Sequence, residues 1–141
     1  MNLYKASFNK SFYGQFLKKL VVKGKPVVIT EFGCCSYNGA DQKGPMGYFV
    51  LDYIKTPPVF KEMCICNEKV QADYILDLLQ LYDKEKITGA FIFDFYSQDL
   101  TYSNNPDNDY DMASFSITRS MYNNNWEPKK SFIRVGEYFK E

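Results

Sequence analysis

Apolar positions along this chain fall into helical stripes and unbroken runs. Between Ser7 and Val22, Phe8, Phe12, Phe16 and Leu20 recur at steps of four, with Leu17 and Val21 beside them. That spacing predicts one apolar face of a helix. Gly24 follows its end, where a glycine stop signal belongs. The stretch Lys25–Gly33 then reads KPVVITEFG. Its run Val27-Val28-Ile29 lacks polar alternation, so Val27–Glu31 is predicted as a strand buried on both faces, and hence as a parallel strand. Glu68–Lys84 carries Val70, Tyr74, Leu78 and Leu81 on one stripe, flanked by Ile75, Leu79 and Tyr82. With Asn67 as its N-cap, this segment predicts a second helix. Ile87–Tyr96, ITGAFIFDFY, predicts a second buried strand, with Gly89 near its start. A last helix is expected over Lys129–Lys140, with Pro128 at a first helical position and Phe132, Val135 and Phe139 on one face.

The segments between these elements are long. Gly33 to Asn67 holds Gly39, Gly44, Pro45, Gly47, Pro57 and Pro58, and is expected to be irregular, with a short element over Tyr48–Ile54 and extended chain over Phe60–Cys66. Gln98–Tyr110 is polar and reads as a loop. Alternating helices and apolar strands predict an α/β fold built of βαβ units, with Val27–Glu31 and Ile87–Tyr96 as adjacent parallel strands.

Composition narrows the chemistry. The chain has 141 residues, enough for one domain with a core, and contains no histidine. Ser-His-Asp and Cys-His nucleophiles are therefore excluded, and proton transfer falls to carboxylates, Tyr, Lys or Cys. The 17 basic and 17 acidic residues cancel and form no long run of one sign, which argues against a nucleic acid or an anionic membrane as partner. No stretch approaches the roughly 20 apolar residues that span a bilayer. Met1–Lys5 lacks the apolar segment of a signal peptide, so the chain as given is expected to be cytoplasmic.

The cysteines, Cys34-Cys35 and Cys64-x-Cys66, lack zinc-ribbon spacing and are expected as free thiols. Asp107-x-Asp109-x-Asp111 imitates the start of a calcium loop. Met112 stands at the glycine position and Thr118 at the bidentate glutamate position, which excludes an EF-hand. The simpler reading has Asp111 capping the turn into Met112-Ala113-Ser114. Neither a metal nor a cofactor is expected. The 12 Tyr and 12 Phe are read mainly as core, with a sugar-stacking surface as the alternative.

KPVVITEFG, a helix, GAFIFDF, YDMASF and WEPKKSF together resemble the C-terminal part of a (β/α)8 glycoside hydrolase of the group with catalytic carboxylates after strands 4 and 7. TEFGCC and DMASF are also similar to glycosidase-like barrel proteins labelled abortive-infection proteins. The resemblance implies that residues 1–141 form a single partial barrel domain, with Val27–Glu31 as strand 7 and Ile87–Phe95 as strand 8. A complete barrel of this kind needs roughly 250 residues. It implies a carbohydrate ligand and Glu31 as the nucleophile of a retaining reaction. Glu31 also falls at a strand end, where barrels place their chemistry; the alternative is a carboxylate that caps a loop or pairs with a lysine.

The acid/base should come from an Asn-Glu pair after strand 4. The chain's one such pair, Asn67-Glu68, opens a helix instead. No second carboxylate is therefore expected in place to protonate the leaving group, and the chain alone is expected to be inactive. Asp94 would bind a sugar hydroxyl or orient Glu31 if it points inward, and be paired or solvated if outward. Tyr96 and Tyr102 are candidates for a stacking platform, and Cys34 for the same mouth, although Cys34 and Cys35 also suit plain packing. A fragment with two strands is expected to self-associate or to need the missing part of the barrel. The rival readings are a carbohydrate-binding protein, and an interaction or defence protein on a barrel scaffold.

Overall fold

The structure, a computed structural model, describes residues 10–21 and 24–140; the expected helical positions Ser7, Phe8 and Val22 lie outside these. Helix α1 (Lys10–Val21) ends on Gly24, whose N–H donates to the Val21 carbonyl at 3.1 Å from a left-handed φ of 67°. Strand β1 (Val28–Phe32) follows. The first long segment is more ordered than its glycines and prolines suggest. It holds a helical turn α2 (Ala40–Lys43), a 3-10 stretch over Gly44–Val50, and a small hairpin of β2 (Leu51–Asp52) and β3 (Val59–Phe60).

Helix α3 (Glu68–Lys84) has the expected bounds, and Asn67 caps it by accepting from the Lys69 N–H at 3.1 Å. Strand β4 (Gly89–Ile92) then lies parallel to β1, with Val28 opposite Gly89 and Ile29 opposite Ala90. The chain continues through a 3-10 turn over Tyr110–Ala113 to a second hairpin, β5 (Thr118–Ser120) with β6 (Trp126–Pro128), and ends in α4 (Lys130–Tyr138). The fold is mixed α/β. The described residues form three two-stranded sheets and no closed barrel.

Helices α1 and α3 bury one side of β1, where Tyr13, Leu17, Ile29, Phe32, Ile75 and Leu78 are fully packed. The buried stripe of α1 is rotated from the expected one. Tyr13 and Leu17 lie inside while Phe12 is 53 % exposed. Tyr13 is tolerated there because its hydroxyl meets that of Tyr82 at 2.9 Å.

The second strand is shorter and less buried than the unbroken apolar run implies, with Phe91 at 63 % exposure. The Phe93 N–H still donates to the Phe32 carbonyl of β1 at 2.8 Å, and the backbone then turns to another segment: Asp94 N–H to the Phe115 carbonyl at 3.3 Å, and Ile117 N–H to the Asp94 carbonyl at 3.0 Å. Pro128 belongs to β6 rather than to the first turn of α4, and Phe139 is 70 % exposed.

Candidate functional site

A register shift in β1 positions Glu31. Ile29 lies opposite Ala90 and Phe32 opposite Ile92, so β1 spends one residue more than β4 between these pairs. Strict alternation would put Glu31 on the face of Ile29, against the helices. The bulge gives that face to Phe32 instead, which is buried in the same cluster as Ile29. Glu31 thereby reaches a cleft of about 970 Å³ at the C-terminal ends of β1 and β4. Gly33 is required next to it, since a Cβ there would stand 2.3 Å from the Phe93 carbonyl oxygen.

Asp94 and Asp99 line the same cleft. Of the two placements open to Asp94, the structure has the inward one, because the segment after β4 folds back over the strand ends. Asp94 is half-buried, and burial raises its carboxyl above the ordinary range. The Ser97 hydroxyl, 3.2 Å and 3.4 Å from its two carboxyl oxygens, pulls the other way.

Rings form much of the remaining wall. Tyr48 lies 6.1 Å from Tyr53 and 6.3 Å from Phe115, and Phe93 lies 5.9 Å from Phe115. All four line the cleft. Sequence reasoning missed them as site residues. For Tyr48 and Tyr53 the signal was the length of the segment after β1, since loops of that size in a compact domain tend to be functional.

The other expected site residues lie elsewhere. Cys34 is fully buried among Ile29 and Phe32, and its carbonyl accepts from Gln71 Nε2 at 2.8 Å, so it packs the core and does not line the mouth. Cys35 is buried too, donating to the Ala113 carbonyl at 3.1 Å, and burial pushes its thiol far above the ordinary value. Tyr96 is not among the residues that line the cleft. Tyr102 belongs to a second cleft, of about 510 Å³, where the Arg119 guanidinium sits 5.0 Å from its ring centroid. Glu68 lines that second cleft as well, held by Arg119 Nε at 2.7 Å and by the Lys130 N–H at 3.0 Å.

Between the two clefts runs a buried polar network. Lys129 is 0 % exposed, and its ammonium lies 2.8 Å from Asp111 Oδ2, 3.3 Å from the Ser36 hydroxyl and 3.2 Å from the Ser114 hydroxyl. Asp111 also accepts from the Ser120 N–H at 3.2 Å, so it joins the Tyr110–Ala113 turn to β5 as well as to Lys129. Ala113 and Ser114, which follow Asp111, form part of the first cleft's wall. Nothing local in Pro128-Lys129-Lys130 marks Lys129 as buried. No group of three or more metal-ligating side chains occurs among the described residues.

No helix among the described residues is long and apolar enough to cross a membrane. Comparison with models of known protein families finds no match, and no curated protein matches the chain.

Proposed function

We propose that the chain is part of a glycosidase-like (β/α)8 barrel whose first cleft takes a carbohydrate, with Glu31 as the nucleophile of retaining hydrolysis. The observation that carries this reading is the meeting of Glu31 and Asp94 in one ring-walled cleft at the C-terminal ends of parallel strands. Aromatic faces suit the apolar faces of a sugar, and carboxylates suit its hydroxyls. The exposed Phe91 side of β4 supports the barrel part of the reading, because parallel sheets are ordinarily covered on both faces.

In this scheme Glu31 attacks the anomeric carbon and the leaving oxygen must gain a proton. Asp94, with a carboxyl held above the ordinary range, is the chain's own candidate to deliver it. The test is a panel of aryl and alkyl glycosides. Glu31→Gln keeps size but removes the charge, so turnover falls by several orders of magnitude while sugar binding persists. Asp94→Asn should slow alkyl glycosides far more than activated aryl ones, whose leaving groups need little protonation. Activity indifferent to Glu31→Gln would sink the nucleophile assignment.

A second reading, a carbohydrate-binding protein without turnover, is favoured by Glu68. The glutamate of the single Asn-Glu pair is taken up by Arg119 and does not line the first cleft. Sugar binding with no hydrolysis by any variant selects this reading.

A further inference from the structure

The second cleft contains a nearly buried carboxylate that has no ion pair among the described residues. Asp109 is 4 % exposed and lines this cleft, and its carboxylate accepts from the Ser103 N–H at 3.4 Å. It does not cap the 3-10 turn that follows it. Among the described residues no ammonium or guanidinium forms an ion pair with it, whereas its neighbours are matched: Asp111 by Lys129 at 2.8 Å and Glu68 by Arg119 at 2.6 Å. A buried carboxylate without a cation is expensive, and each adjacent pair cancels its own charge.

We infer that the second cleft is a binding site for a small organic cation, with a primary ammonium or guanidinium held by Asp109. An anion is opposed by Asp109, and a neutral ligand leaves its charge uncompensated. The carbon skeleton of such a cation has Ile65, Pro106 and Met112 to lie against, and the ring of Tyr102. Lys130 also lines the cleft but is exposed, where water screens its charge. The inference is independent of the carbohydrate reading, which concerns the other cleft.

The protonation behaviour of Asp109 agrees with a carboxylate that has no ion pair among the described residues. Burial first, and the Asp111 carboxylate second, push its carboxyl up to about 6. Lys129 and Arg119 act against that shift. The other titratable or charged groups facing this cleft are Glu68 at the start of α3, Tyr102, Arg119, Lys130, the Cys64 thiol, raised chiefly by burial, and the Cys66 thiol, raised to about 11 chiefly by burial. A bound cation stabilises ionised Asp109, so affinity must fall as pH drops through the range where Asp109 protonates.

The experiment titrates the full chain with four-carbon probes of matched shape: butylammonium, butanol and butyrate. At about pH 7.5, butylammonium should give saturable amide shifts at Ser103 and Asp109, with a Kd on the order of 1 mM. Butanol and butyrate should bind at least about tenfold more weakly, and Asp109→Asn should abolish the butylammonium response. If that variant does not fold, the unmodified protein still decides the matter, because the Asp109 carboxyl midpoint should fall by about one unit in saturating butylammonium. Equal responses to the three probes, or an unmoved midpoint, would overturn the assignment.

Discussion

On the helix side of the β1–β4 pair, Tyr13, Leu17, Ile29, Phe32, Ile75 and Leu78 pack together, and the Tyr13–Tyr82 hydroxyl pair is a polar contact within that mass. On the loop side, Lys129, Asp111, Ser36, Ser114 and Ser116 are equally buried but are held by hydrogen bonds and an ion pair. Gln71 joins the sides. Its amide donates to the carbonyls of Cys34, Phe115 and Ser116 at 2.8, 3.3 and 3.1 Å, and its carbonyl accepts from the Ser131 hydroxyl at 2.7 Å. The helix side gains stability from area removed from water, a term that tolerates similar shapes. The loop side depends on every partner being present, because a buried charge or donor left alone costs more than the bond contributed. The first cleft meets this loop side at Ser114, and the second lies beside it at Asp109, Met112 and Lys130.

The sharpest way to break this contrast is Lys129→Met. It leaves Asp111 buried without its cation and should cost about 3–5 kcal/mol in denaturant unfolding. Adding Asp111→Leu to it should restore a large share of that loss, since replacing both partners by apolar groups is far cheaper than removing one. A single variant as stable as the parent would mean that the network contributes shape alone.

Leu78→Ala tests the other side. It removes fully buried methyl groups and should cost about 2–5 kcal/mol through lost transfer energy and the cavity left behind. No neighbouring substitution that merely restores hydrogen bonding should recover it, and the loss should be the same at low and high salt.

The pH dependence separates the sides again. Asp109 has a folded-state value near 6, above the roughly 3.9 of an unfolded aspartate, so the folded chain holds its proton more tightly. Its contribution therefore favours folding at low pH and is lost as pH rises from about 4 to about 6. Asp109→Asn should remove this slope, so that the variant gains on the parent between pH 4 and pH 7 in paired melts. Leu78→Ala should leave the slope in place.

The smallest effect belongs to Tyr13→Phe. It keeps the ring and deletes one hydroxyl, leaving the Tyr82 hydroxyl without that partner, for a cost of about 1 kcal/mol. A change well above that would show that the helix side too depends on polar pairing.

The periodic elements were legible in the sequence by themselves. The α3 bounds, the Asn67 cap, the Gly24 stop and the parallel pairing of two apolar runs follow from side-chain spacing and local backbone preference, which act over a few residues. Glu31 was legible as a strand-end carboxylate for the same reason. The tertiary structure alone decided the rest. The β1 bulge that turns Glu31 into the cleft is a property of its pairing with β4, and Asp94 joins Glu31 because its backbone bonds to Phe115 and Ile117. Cys34 entered the core, and Lys129 became a buried cation, through partners far away in the chain. Burial and charge pairing are sums over whatever the fold brings within a few ångströms, and a pattern read along the chain does not contain those neighbours.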